Sequence, residues 1–215
     1  MTGFSGLILF ITSFYATIQF FKFFSESRRI FHCCLAISCI FVGIISISGF
    51  LEEFFPILDA SFIDDWSTVF AVSFLLSAAA ALVRDFKPVM TRFPRSFTLL
   101  PLLLILFYPL VVEMPVLKNW IISLYQAGAL IIGLLIYSYR TSVNAVFAYM
   151  LVGLLFFLIT YVLFHLPDRF FVLPEYGWAL FTATGILVIT VGYQQVYQPE
   201  EESRSKEQRK DIWFE

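Results

Sequence analysis

Long apolar runs separated by short charged ones set the pattern of this chain, and their lengths predict its elements. Between Lys118 and Arg140 the sequence KNWIISLYQAGALIIGLLIYSYR carries no charge inside its two basic ends. Roughly 21 residues at about 1.5 Å rise per residue match a hydrocarbon layer of about 30 Å, so this stretch reads as a transmembrane helix. The same pattern recurs, giving seven spans at about 4–24, 30–50, 66–83, 97–112, 119–139, 143–164 and 176–193. They make one membrane domain over residues 1–195, followed by a charged tail at 196–215. The fold class expected is therefore all-α: a polytopic membrane protein built as a seven-transmembrane-helix bundle. The fourth span is the shortest and holds Pro101 and Pro109. Proline is accepted in a membrane helix only where neighbours satisfy the freed carbonyl.

Polar and small positions inside the spans say which faces pack. Tyr125 and Gln126 sit at the centre of the fifth span, followed by Ala127, Gly128, Ala129 and then Gly133. Small residues let a second helix approach, and a buried amide must find a partner across that contact, which places this span within the bundle. Ser73, Ser77 and Ala81 repeat at four-residue spacing in the third span, a second packing stripe beside that of Ala129 and Gly133.

Composition sharpens this picture. At 60% hydrophobic and 14% charged residues the chain is too apolar for a soluble domain, where about 25% are charged. Net charge is −2, with no basic surplus of the kind that binds nucleic acid. The placement of the basic residues is more informative than their number. Odd-numbered connections hold Lys22, Arg28, Arg29, Arg84, Lys87, Arg92, Arg95 and Arg140, whereas even-numbered ones hold only Lys118 and Arg169. By the positive-inside rule the N-terminus lies outside and the C-terminus in the cytoplasm, in a plasma (inner) membrane. Trp66, Trp120 and Trp178 then fall near the outer boundary, as an aromatic belt requires. The first apolar segment lacks a basic leader and is longer than a signal peptide's core, so it reads as a retained span. Cys33, Cys34 and Cys39 are three and clustered, which excludes a disulfide framework; they read as small apolar filler, with lipid acylation of Cys33 and Cys34 the sharper alternative.

Several chemistries lack their residues. No ionisable group lies at mid-depth, where proton relays and ion paths need one. The seventh span has no lysine for a retinal Schiff base, and His32 and His165 fall at opposite boundaries, too far apart to ligate one haem. Neither HExxH nor GxSxG occurs. No cofactor and no enzymatic activity are expected. The remaining polar residues gather in the outer half. Tyr108, Tyr125, Gln126 and Tyr161 are candidates to line an outward-facing pocket for a small, weakly polar or lipid-like ligand, and Glu52, Glu53, Glu113 and His165 to stand at its mouth or hold a cation. Against this stands a plainer alternative: interfacial tyrosines, an acidic outer surface and a glutamine bonded to a neighbouring helix.

Two functions are consistent with the sequence. The first is a non-catalytic integral membrane protein, a sensor module or accessory subunit of a membrane assembly, acting through its cytoplasmic tail. There Ile212, Trp213 and Phe214 offer an apolar end for docking a membrane or cytoplasmic protein partner. The second is a receptor or transporter using the outer pocket. The layout resembles that of small sugar transporters with two related three-helix halves. Segments one to three share no motif with five to seven, however, and the prolines well inside a span, Pro101 and Pro109, both lie in the fourth.

Overall fold

The computed structural model describes residues 2–55, 61–86, 92, 94–111, 113–165 and 177–212, with the side chains of 2–3, 53, 95, 164–165 and 197–212 outside the description. The described residues hold seven α-helices and no strands: α1 (Thr2–Ser27), α2 (Ile30–Phe54), α3 (Ser61–Phe86), α4 (Leu103–Val111), α5 (Pro115–Val143), α6 (Ala148–His165) and α7 (Gly177–Ile212). Six of them are long and apolar enough to cross a membrane. This is consistent with an integral membrane protein.

The fourth segment departs from the single helix that its sequence predicts. Arg95–Leu102 is a 3-10 helix containing Pro101, and only Leu103–Val111 is α-helical, with Pro109 inside it. A proline removes one N–H from the α ladder and its ring crowds the carbonyl four residues back, so regular α-winding is broken around Pro101. The 3-10 winding also rises faster. Eight residues at about 2.0 Å and nine at about 1.5 Å together reach about 30 Å, comparable to a longer α-helix.

The helices close a ring: α1 packs on α2 and α7, α2 on α3, α3 on α5, α5 on α6, and α6 on α7. The fourth segment lies in the outer groove between α3 and α5, turning Leu103, Leu106, Phe107 and Leu110 away from the protein. On α6, Val152, Leu155, Ile159 and Val162 are likewise exposed at steps of three and four residues. That spacing draws one stripe along a helix, and exposed aliphatic stripes of this kind suit contact with lipid chains.

Connections and glycines set how close the ring draws. Arg28 and Arg29 alone join α1 to α2, and Arg28 takes φ 54°, the left-handed region that costs a side-chain-bearing residue about 1–2 kcal/mol. Between α6 and α7 the contact is made by Gly153 and Gly185. A methyl on Gly153 would meet the Gly185 carbonyl oxygen at 3.0 Å and collide with Ile189, and one on Gly185 would meet the Gly153 oxygen at 3.0 Å. The expected packing stripes are placed as follows. Ser73, Ser77, Ala81 and Ala129 are buried, and a methyl on buried Gly133 would meet Leu154 of α6 at 3.0 Å.

Candidate functional site

Alternation of the helices gives the ring an acidic end, where α2 finishes and α3 and α5 begin, and a basic end, where α3 and α5 finish. Most of the described polar side chains that could do chemistry sit at one or the other.

At the acidic end the first turns of α3 and α5 carry Asp64, Asp65 and Lys118. The Lys118 ammonium donates to both Asp65 oxygens, at 2.9 and 2.8 Å, tying α3 to α5. The Ser48 hydroxyl donates to Asp64, tying α2 to α3, and Glu52 lies within electrostatic reach of Asp64. Acidic residues suit a helix N-terminus because the peptide dipoles leave it partly positive. Lys118 and Asp65 remain 18% and 40% exposed, so neither charge is stripped of water.

Beneath this network is an apolar cluster in which Val69, Leu104 and Tyr108 are buried and Trp66, Ile121, Ile122 and Tyr125 pack around them. The Trp66 and Tyr108 rings meet edge to face with centroids 5.0 Å apart, an arrangement that matches a positive ring edge to a negative face. Of the four expected pocket residues, Tyr108 and Tyr125 thus share the interface of α3, the fourth segment and α5. Tyr161 lies elsewhere, at the α5–α6 interface, with its hydroxyl 3.3 Å from that of Ser123. Gln126 is half-buried; standing three residues after Ser123 and four after Ile122, it falls between the two faces of α5. For the expected mouth, Glu52 is half-buried beside Asp64 and Glu113 is exposed in the turn before α5. The side chains of Glu53, His165 and Ile212, and all of Trp213 and Phe214, lie outside the described residues.

The basic end is built differently. His32, in the first turn of α2, is fully buried, with the rings of Phe31, Tyr193 and Phe23 at centroid distances of 5.2, 5.6 and 5.9 Å. Its Nδ1 lies 2.9 Å from the Ser27 hydroxyl, which donates its single proton to the Phe23 carbonyl at 2.6 Å. Nδ1 is therefore the donor in that pair. Tyr193 of α7 also hydrogen-bonds Tyr137 of α5, hydroxyl to hydroxyl, and so reaches both the α1–α2 hairpin and α5. Nearby, the Arg140 guanidinium stands over the rings of Phe86 and Phe147, at 3.9 and 4.8 Å from their centroids.

Sequence reasoning passed over Ser48, Asp64, Asp65, Lys118, Tyr137 and Tyr193 as site residues. Asp64, Asp65 and Lys118 were detectable, because charges in the first turns of neighbouring helices face one another when those helices pack. Nothing in the sequence pairs Tyr137 with Tyr193. As for metals, no group of three or more His, Cys, Asp or Glu among the described residues is arranged to hold one, and Cys33, Cys34 and Cys39 are free thiols. Among the described residues, the polar groups at both ends join helices. The chain matches no protein-family model, no curated protein and no solved structure with which it was compared.

Proposed function

We propose that this protein is a non-catalytic component of a membrane assembly, a sensor module or accessory subunit, with its N-terminus outside, seven membrane crossings and a cytoplasmic C-terminus through which it docks. The observation that carries the proposal is α7. It runs as one helix of 36 residues, about 54 Å at the usual rise, while its apolar part, Gly177–Val196, needs only about 30 Å to cross hydrocarbon. A helical extension of about 24 Å thus continues from the ring into the charged sequence. A continuous helix passes a shift or rotation from its packed part to its projecting part, where a flexible linker would absorb it.

Two further points support this reading. Basic residues crowd the end from which the extension leaves, in keeping with a cytoplasmic location. Of the residues expected to line one outward pocket, Tyr108 and Tyr125 pack among apolar side chains at one helix interface and Tyr161 lies at another, which favours this reading over the receptor or transporter alternative. The chemistry of the tail fits a protein partner, through its alternating charges and Ile212, Trp213 and Phe214.

Two experiments test it. A Ser205→Cys variant in intact cells, with Cys33, Cys34 and Cys39 replaced, is expected to resist an impermeant thiol reagent until the membrane is opened; prompt labelling from outside would reverse the orientation. Gentle purification of the full chain should bring down one companion protein in fixed ratio, lost when residues 196–215 are removed. A chain that purifies alone with a tightly held small molecule, and tolerates that truncation, would instead be a receptor or transporter.

A further inference from the structure

Arg140 is the one described arginine held over aromatic rings, and among the described side chains none hydrogen-bonds its guanidinium edge. It lies in the last turn of α5, near the ends of α3 and of the 3-10 turn Ala145–Phe147, and is half-buried. Phe86 and Phe147 take the face of the guanidinium, the geometry of a cation–π contact. The N–H donors point along the plane of the group, so ring contact leaves them available. No carboxylate whose side chain is described pairs with it; Glu26 pairs with Lys22 and Asp65 with Lys118. The weak negative pole of the α5 C-terminus favours a cation there without engaging that fork.

We infer that Arg140, steadied by Phe86 and Phe147, is a binding site for the phosphate of an anionic phospholipid headgroup. The acceptor geometry of a phosphate matches the guanidinium fork two bonds at a time. The depth is also right. Arg140 closes an apolar run, one turn short of the end of α5 at Val143, where headgroups meet hydrocarbon. Arg28, Arg29, Arg84 and Arg92 share this end with Glu26 and Asp85, and the tail helix that leaves it carries charges of both signs. Basic residues at a membrane face concentrate anionic lipid, and a preorganised arginine then selects its phosphate.

The site is tested on the full chain in nonionic detergent, by native mass spectrometry with phosphatidylglycerol and phosphatidylcholine supplied equally. The wild type should retain phosphatidylglycerol in preference. Arg140→Gln should reduce that retention about tenfold, the loss of one charge-assisted contact. Arg140→Lys keeps the charge without the planar fork and should lose part of it. Arg84 is the control, because two residues before Phe86 places it about 200° away around α3; Arg84→Gln should change retention less than twofold. Equal losses in Arg84→Gln and Arg140→Gln would mean diffuse charge and overturn the site. Displacement of the lipid by millimolar inorganic phosphate would reassign it to a soluble phosphate and overturn the lipid. Where Arg140→Gln does not fold, photoactivatable phosphatidylglycerol on the wild type decides. Cross-links in the peptides holding Phe86, Arg140 and Phe147 support the site, and cross-links confined elsewhere overturn it.

Discussion

The two ends of the ring solve the same problem with different chemistry. Each must hold helices together where they leave the apolar layer and polar groups begin. At the basic end Tyr193, His32, Phe23, Phe31 and Tyr137 form a buried plug of rings in which the two tyrosine hydroxyls bond each other and His32 Nδ1 bonds Ser27. At the acidic end Lys118 and Asp65 bind helices through charge and stay partly in contact with solvent, while buried Ser48 bonds Asp64. Neutral hydroxyl and imidazole groups tolerate full burial once hydrogen-bonded, whereas a carboxylate and an ammonium lose more on desolvation than their attraction returns. The basic end can thus be dry and closed, while the acidic end must remain wet.

That contrast predicts an order of mutational effects, read as shifts in thermal unfolding of the purified protein. Tyr193→Ala should cost most, about 2–3 kcal/mol. A soluble core would lose about 3–5 for an aromatic truncation, but the surrounding lipid is itself apolar, so chiefly the lost packing remains. Should the acidic-end changes cost more than this one, the contrast would be inverted. Asp65→Asn should cost about 1–2 kcal/mol by leaving the Lys118 ammonium without its counter-charge, and the double variant Asp65→Asn with Lys118→Met should cost less than the two singles added together. Additive losses would mean that the pair is not coupled. Next comes Tyr137→Phe, expected to cost about 0.6 kcal/mol, the usual size of an interhelical hydrogen bond in a membrane protein. Smallest, and opposite in sign, is Arg28→Gly, which should stabilise by less than about 1 kcal/mol by relieving the left-handed φ in the α1–α2 turn. A loss there would assign the Arg28 side chain a contact worth more than the strain.

The difference between the ends also explains what sequence reading reached. Helix positions were legible because a span must be apolar for its whole length, so Lys118 to Arg140 announces itself before any neighbour is known. The fourth segment was legible as short and proline-bearing, but its 3-10 winding was not, since that depends on how α3 and α5 receive it. Gly153 and Gly185 show the same limit from the side of packing. Each is an ordinary glycine in its own helix, and only the meeting of α6 and α7 makes their missing side chains necessary.

For the candidate site the limit is stricter. Tyr108, Tyr125, Gln126 and Tyr161 were expected at one depth, which sequence can estimate by counting residues from a boundary. Sharing a face is another matter: Tyr125 turns to the fourth segment and Ser123 to Tyr161, although they are two residues apart on one helix. By itself the sequence determined an all-helical chain of membrane-length apolar segments with most of its basic residues in alternate connections, because hydrocarbon thickness and charge desolvation act on each segment separately. Only the tertiary structure decided that α7 closes the ring against α1, that Tyr193 meets both His32 and Tyr137, and that Arg140 lies over two rings. Those contacts join residues far apart in the chain, and their existence depends on the order in which helices pack, which no single segment encodes.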